Sequence, residues 1–235
     1  MKTIGLIGGV TWESTLDYYR VINEEVARRL GGTNSAKIVL VSLNFHDVLA
    51  NGADAARHRE IYLQAARTIK HAGAEVLVIC SNTAHKRADD LAARLEMPVL
   101  HIADATGRAV RLTKLSTIGL VGTRQTMEGD FIKERLRQRF GLNVQTPPDE
   151  DRAVLDQLIF GEMACGIFSA AARAAVGDII SRLVAQGAEG VVLACTELPI
   201  LMRNVSAPCP LFDTTRLHAL AAVSFALQEG PTACL

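Results

Sequence analysis

The chain repeats itself. Ile4-Gly5-Leu6-Ile7-Gly8 returns 114 positions later as Ile118-Gly119-Leu120-Val121-Gly122. At the same offset Gly73-Ala74-Glu75 returns as Gly187-Ala188-Glu189, and each triplet opens an apolar run that ends in a cysteine, Cys80 in the first copy and Cys195 in the second. Further on, Pro98-Val99-Leu100-His101 is echoed by Pro210-Leu211-Phe212-Asp213. A duplication leaves little freedom of fold, because whatever the first half builds the second builds again. The two cysteines stand 115 positions apart, so the second run is one residue longer, through a bulge or a strand that ends later.

Within each copy, apolar runs alternate with helical periodicity. Residues 3–8 read as a strand closed by Gly8-Gly9, followed by a helix with Leu16, Tyr19, Ile22, Val26 and Leu30 on one stripe. Ile38 to Leu43 is a β-branched strand, 54–71 a helix, Val76 to Ile79 a buried strand, 84–95 a helix that Met97-Pro98 ends, and Val99-Leu100 a short fourth strand. The second half repeats the plan, with strands near 116–121 and 190–194, helices near 127–139, 152–163 and 170–186, and a short Leu211-Phe212 strand. Strands apolar along their whole length, alternating with helices, belong to parallel sheets covered on both faces. The expected fold is therefore α/β, with two pseudosymmetric lobes, each a mostly parallel sheet flanked by helices, and the active site in the cleft between them.

Lysine plus arginine equals aspartate plus glutamate at 25 each, with no long run of one sign, which argues against nucleic acid or an anionic membrane as partner and leaves a small molecule. No stretch approaches the roughly 18 apolar residues of a membrane span. Met1-Lys2-Thr3 runs directly into the first strand without a secretory segment, so a cytoplasmic protein is expected. Five cysteines without a C-x-x-C make neither a disulfide framework nor a zinc knuckle, and reduced thiols are expected.

In open parallel sheets, ligands bind beyond the carboxyl ends of the strands. The loops there are Gly8-Gly9-Val10-Thr11-Trp12-Glu13-Ser14, Cys80-Ser81-Asn82-Thr83-Ala84-His85, Gly122-Thr123-Arg124-Gln125-Thr126 and Cys195-Thr196-Glu197. Hydroxyls of Thr11, Thr83, Thr123, Thr126 and Thr196, with the Asn82 amide, supply neutral donors suited to a carboxylate. The same residue types are also helix N-caps and turn formers. The glycine turn lacks dinucleotide spacing, so no NAD is expected. A lone cysteine is usually a small buried hydrophobe. Two at duplicated strand ends point instead to chemistry: a helix N-terminus lowers a thiol from its ordinary pKa of about 8.5, and one thiolate beside one thiol makes a base and an acid. His85 is a candidate to tune Cys80, and Glu197 and Asp104 are candidates to orient a thiol or receive an ammonium group, although either acid also suits a helix start. Lys86 has no pyridoxal phosphate context, and Cys165, Cys209 and Cys234 have no duplicate. Neither metal nor cofactor is expected.

The three loops at 8–14, 80–85 and 195–198, with Trp-Glu-Ser-Thr at 12–15 and His-Ile-Ala-Asp-Ala-Thr-Gly at 101–107, resemble the aspartate/glutamate racemase family nearly end to end. The resemblance implies two pseudosymmetric lobes and cofactor-independent racemisation of an acidic amino acid, with Cys80 and Cys195 exchanging protons on opposite faces of the α-carbon. It implies that Asn82, Thr83, Thr123 and Thr196 hold the substrate, joined by Thr11, Thr126 and Glu197 from the same loops. It also implies that a helix after Asp213 returns to the first lobe, giving lobes of 1–103 plus 214–235 and 104–213. Aspartate-specific relatives carry a lysine where this chain has Ala164, which leaves Arg124, on position, as a candidate cation for the side-chain carboxylate. A sister isomerase such as maleate isomerase or hydantoin racemase, a non-catalytic two-lobed binder, and a homodimer all remain compatible with the residues.

Overall fold

The computed structural model describes residues 1–229; Cys234 and the last part of the expected 214–235 segment lie outside the described residues. Two compact units share the chain, one formed by Met1–His101 with the segment from Thr215 onward, the other by Ile102–Thr214. In the first, β1 (Ile4–Gly8), α1 (Trp12–Leu30), β2 (Ile38–Ser42), α2 (Phe45–Ala50), α3 (Ala55–His71) and β3 (Val76–Ile79) come in order. A 3-10 helix (Thr83–Arg87), α4 (Ala88–Leu95) and β4 (Val99–Leu100) follow. The second unit runs through α5 (Ile102–Leu112), β5 (Thr117–Gly122), α6 (Arg124–Glu128), α7 (Asp130–Phe140), β6 (Asn143–Gln145) and α8 (Asp149–Gly161). It ends with α9 (Ala170–Ala185), β7 (Gly190–Ala194), α10 (Leu198–Leu201) and β8 (Leu211–Asp213), and α11 (Thr214–Ala226) then belongs to the first unit from Thr215.

Each unit holds one parallel four-stranded sheet, in the orders β2-β1-β3-β4 and β6-β5-β7-β8. The chain therefore changes its direction of winding between β1 and β3, and again between β5 and β7. The loops leaving those strands border one crevice in each sheet, the place where open α/β sheets take ligands. Gly8-Gly9 and Cys80 leave the first pair; Gly122 and Cys195 leave the second.

The ladder registers settle why the second cysteine run is longer. β1 pairs with β3 from Ile4↔Val76 to Ile7↔Ile79, and β5 with β7 from Ile118↔Gly190 to Gly122↔Ala194, without a break. The second strand simply runs one rung further, and no bulge is present. Side chains alternate along a strand, so one extra rung sends the next residue to the opposite face. Cys80 packs with Val76 and Val78 against Tyr18 and Ile22 of α1 and Ala219 and Val223 of α11. Cys195 packs with Val191 and Leu193 against Leu155 and Ile159 of α8 and Val176 of α9.

The helix α11 closes the first sheet. Ala219, Ala222, Val223 and Ala226 lie in one buried cluster with Ile4, Leu6 and Val26, small residues that let the helix approach closely. The Ala226 carbonyl accepts the Lys2 N–H at 2.8 Å, Arg29 donates to Ser224 Oγ at 2.9 Å, and Arg29 also pairs with Glu229. Among the described residues no helix is long and apolar enough to cross a membrane.

Several elements differ from expectation. The buried stripe of α1 is Ser14, Thr15, Tyr18, Val21, Ile22, Glu25 and Val26. Leu16, Tyr19 and Leu30 are 57 %, 51 % and 48 % exposed. Polar residues on the inward face misdirect a hydropathy reading: Thr15 is bonded to the loop before the helix, and Glu25 is held by Arg28 and Arg29, which bring its carboxyl down to about 2 against the cost of burial. The 84–95 helix opens as the 3-10 turn before becoming α4, and β2 ends at Ser42 rather than Leu43. Short α2, capped by Asn44, and polar β6 carry too little periodicity to be seen beforehand.

His58, buried on α3 with its ring 5.1 Å from Tyr62, has no hydrogen-bond partner at Nδ1. Burial first, then the charges of Lys86 and Arg87, push its pKa down to about 4. A depressed folded-state value means the neutral ring's contribution is present above the unfolded value of about 6.5 and is lost as pH falls toward 4. His58→Phe should therefore flatten the stability profile between those pH values in denaturant melts. An unchanged acid slope would show that His58 is not the group responsible.

Candidate active site

The turn after β1 is built for close approach. Gly9 sits at φ +82°, and a Cβ there would lie 2.1 Å from the Leu43 carbonyl oxygen, so conformation and space both demand glycine. Thr15 Oγ1 accepts the Gly9 N–H at 2.8 Å and donates to the Thr11 carbonyl at 2.9 Å; Ser14 Oγ donates to the same carbonyl at 3.0 Å. These bonds give Ser14 and Thr15 of the Trp-Glu-Ser-Thr stretch a physical role, folding the loop back on the start of α1. Thr11 itself is buried and, although it heads the helix, its hydroxyl makes no capping bond.

Cys80 leaves β3 still strapped to the sheet, its N–H donating to Ile7 O at 2.9 Å. The next N–H, of Ser81, turns back to Ile79 O at 2.8 Å, and His85 Nδ1 bonds the Ser81 carbonyl at 2.7 Å. Asn82 heads the 3-10 helix, buried, with no side-chain capping bond, and Thr83 beside it is half-buried. Thr11, Cys80, Asn82 and Thr83 thus all lie on the two loops that leave the switch point of the first sheet.

In the second unit Gly122 packs so closely that a Cβ would meet Ala194 O at 2.5 Å. Thr123 is the N-cap of α6: its Oγ1 accepts the Thr126 N–H at 3.3 Å and donates to Thr126 Oγ1 at 3.0 Å. Capping is thus the role visible for this pair. Arg124 is not poised for a ligand. Its guanidinium is paired at 2.9 Å with each of Glu128 and Asp149, and its N–H with Asp156 at 2.7 Å. After β7, Cys195 Sγ donates to Glu197 Oε2 at 3.0 Å and Thr196 Oγ1 donates to the same oxygen at 2.9 Å. Glu197 is therefore the thiol's partner as well as a loop acid. Asp104 is elsewhere engaged, gripped at both oxygens by Arg135 at 2.7 and 2.9 Å and touched by Arg139.

Neither thiol is eased toward ionisation. Burial pushes Cys80 up, and burial with the adjacent Glu197 carboxylate pushes Cys195 well above its ordinary value. The expected lowering by a helix N-terminus is overridden because the cysteines lie beneath helix layers and the helices that follow them are a 3-10 turn and the four-residue α10. Both shifts favour the thiol over the thiolate.

From residue 7 to residue 222 the sequence matches the family model of Asp/Glu/Hydantoin racemase. The chain belongs to this family. A putative Asp/Glu racemase from Yersinia pestis is similar in structure at 46% identity and TM-score 0.89, over 97% of this chain and 100% of its own. An aspartate racemase homologue from Pyrococcus horikoshii OT3 is similar at 31% identity and TM-score 0.81, with coverage of 97% and 100%. The glutamate racemase of Deinococcus radiodurans is 28% identical over 153 residues, 63% of this chain, and the match spans only 51% of that protein. The two-sheet α/β architecture is the one these racemase-family structures share.

The thiol environment sets a measurable expectation. A folded-state pKa raised above the unfolded value of about 8.5 stabilises the fold below that pH and ceases to do so as pH rises further. Thiolate absorbance of the native protein should show no contribution from Cys80 or Cys195 across the ordinary cysteine range, and Cys80→Ala should lessen the loss of stability above it. A thiolate signal near neutrality that disappears in Cys80→Ala would contradict this.

Proposed function

We propose that this chain is a cofactor-independent racemase of an acidic amino acid, aspartate or glutamate, using Cys80 and Cys195 on opposite faces of the α-carbon. The observation that carries the reading is the placement of one buried cysteine at the switch point of each of two duplicated sheets. Membership of the Asp/Glu/hydantoin racemase family supports it. In the proposed cycle one sulfur, as thiolate, takes the α-proton and the electron pair stays on the α-carbon, delocalised into the carboxylate. The other thiol then delivers its proton to the opposite face, and its sulfur is left as thiolate. The opposite enantiomer reverses the roles.

Glu197 gives the second thiol somewhere to send its proton. The Sγ–Oε2 contact of 3.0 Å lets the carboxylate accept the Cys195 proton when that sulfur serves as base, while Thr196 supports the same oxygen. Thiols held high in pKa are strong bases once ionised, which suits a weakly acidic carbon. The Thr11 and Thr83 hydroxyls and the Asn82 amide, with Thr196, supply the neutral donors for the substrate's carboxylates. Thr123 and Thr126 fit this reading as the pair that shapes the β5 loop. Family membership supports an amino acid as partner, and the reading takes the reaction to need neither metal nor cofactor and to proceed in the cytoplasm.

Either Cys→Ala variant should abolish racemisation in both directions, because each direction uses both thiols. In D₂O, initial product should carry deuterium at the α-carbon while recovered substrate stays largely unlabelled. Near-normal racemisation by Cys195→Ala would remove the two-thiol mechanism. Glu197→Gln, which keeps the shape but not the proton acceptor, should lower kcat by about 10²-fold or more. Wild-type kcat there would leave the Cys195 proton to another acceptor.

A further inference from the structure

Behind the Cys80 loop lies a buried group of rings to which the proton-transfer cycle gives no part. His85 of the 3-10 helix, His101 between β4 and α5, and His218 of α11 are all buried. The His85 ring lies 4.9 Å from that of His101 and 5.1 Å from that of His218, and Tyr18 of α1 meets His218 edge-on at 5.7 Å. Carbonyl oxygens only accept, which fixes the tautomers. His85 Nδ1 bonds Ser81 O at 2.7 Å and must carry a hydrogen; His218 Nε2 bonds Leu100 O at 2.9 Å and must carry one too. In the neutral His218 ring, Nδ1 is then an acceptor, and the Tyr18 hydroxyl donates to it at 2.9 Å. His85 thus bonds the Ser81 carbonyl, and the rings of His101 and His218, the latter held by Tyr18, pack against it.

We propose that His85 is a positioning residue for Cys80, acting through the Ser81 carbonyl, with His218 and Tyr18 holding the His85 ring in place. This rests on the reading of Cys80 as a catalytic thiol. Tyr18 orients His218, the rings of His218 and His101 pack on that of His85, and the His85 N–H fixes the Ser81 carbonyl, while the Ser81 N–H is already turned back to Ile79. Ser81 is then held at both its N–H and its carbonyl, which belong to the two successive peptide groups after Cys80, so the direction in which the strand end aims the sulfur is set. Small displacements of a proton-transfer group lower the rate steeply while leaving substrate affinity nearly untouched.

The test uses two variants that differ only in where the donor sits. His85→Asn places an amide N–H where the Nδ1–H stands; His85→Gln places it further out and leaves Ser81 O without that donor. The asparagine variant should keep kcat within about threefold of wild type, and the glutamine variant should lose about tenfold or more in both directions with KM nearly unchanged. With α-deuterated substrates, the isotope effect on kcat/KM should rise in the glutamine variant for one enantiomer only, the one that Cys80 deprotonates. Equal behaviour of the two variants, or a glutamine variant altered in KM alone, would overturn the proposal. Tyr18→Phe, which keeps the ring and removes the hydroxyl, covers the case in which neither His85 variant folds: it should lower kcat at constant KM, and an unchanged kcat would count against the chain of contacts. Cys80→Ala is assayed alongside. Activity retained there would dismiss the catalytic reading of Cys80, whereas an inactive Cys80→Ala with wild-type-like His85 variants would dismiss the positioning role alone.

Discussion

The parallel pairing of β1 with β3, and of β5 with β7, is the interaction on which the rest depends. With β2 and β6 on the other side of the central strands, each pairing creates a switch point, and only there can two loops leave a sheet side by side. The glycines next to it follow from the same constraint: Gly9 and Gly122 lie where another stretch of backbone comes too close for a side chain. The cysteines follow as well, since a residue immediately past the last rung is still held by the ladder, as the Cys80 N–H to Ile7 shows. At Cys80 the main-chain hydrogen bonds on either side of the residue fix the backbone that carries the thiol.

Equivalence of the two units stops at the last rung. The run-on of β7 puts Cys195 on the face of its sheet opposite to that taken by Cys80. The polar surroundings diverge accordingly. Cys195 finds its carboxylate two residues along its own loop, in Glu197, while the Cys80 loop is steadied by rings from α1, α11 and the β4–α5 junction. A duplicated scaffold has thus acquired two different ways of holding a sulfur, one local and one assembled from distant sequence.

This division also marks what the sequence could reveal. The repeats at Ile4 and Ile118, the apolar strands and the two cysteines are local signals, and they lead to the α/β class, the sheets and the loops that matter. Glu197 stands beside Cys195 in sequence and was within reach of the same reading. What escaped was whatever depends on a distant partner. Glu25 looks like a surface residue until Arg28 and Arg29 are seen to neutralise it, and so hydropathy alone misplaces the inward face of α1. Asp104 and Arg124 look like ligands until Arg135 and Asp149 are found to occupy them. The grouping of His85 with His218 joins residues 133 positions apart, and no spacing rule connects them. The thiol pKa values turned on burial, which spacing does not report.

The position of α11 also bears on how the molecule is made. Its apolar face covers Ile4, Leu6, Val76 and Val78, residues that leave the ribosome long before Ala219 and Val223 do. The second unit is continuous in sequence from Ile102 to Thr214 and has all its strands and helices as soon as β8 is complete. The first unit, although translated first, lacks part of one wall until α11 arrives, and closing it joins contacts some two hundred residues apart, such as Tyr18 with His218. Synthesis therefore favours the order second unit, then first, leaving the part of this sheet face not covered by α1 open during elongation. The helix that completes the histidine group behind Cys80 is the same one that ends this interval.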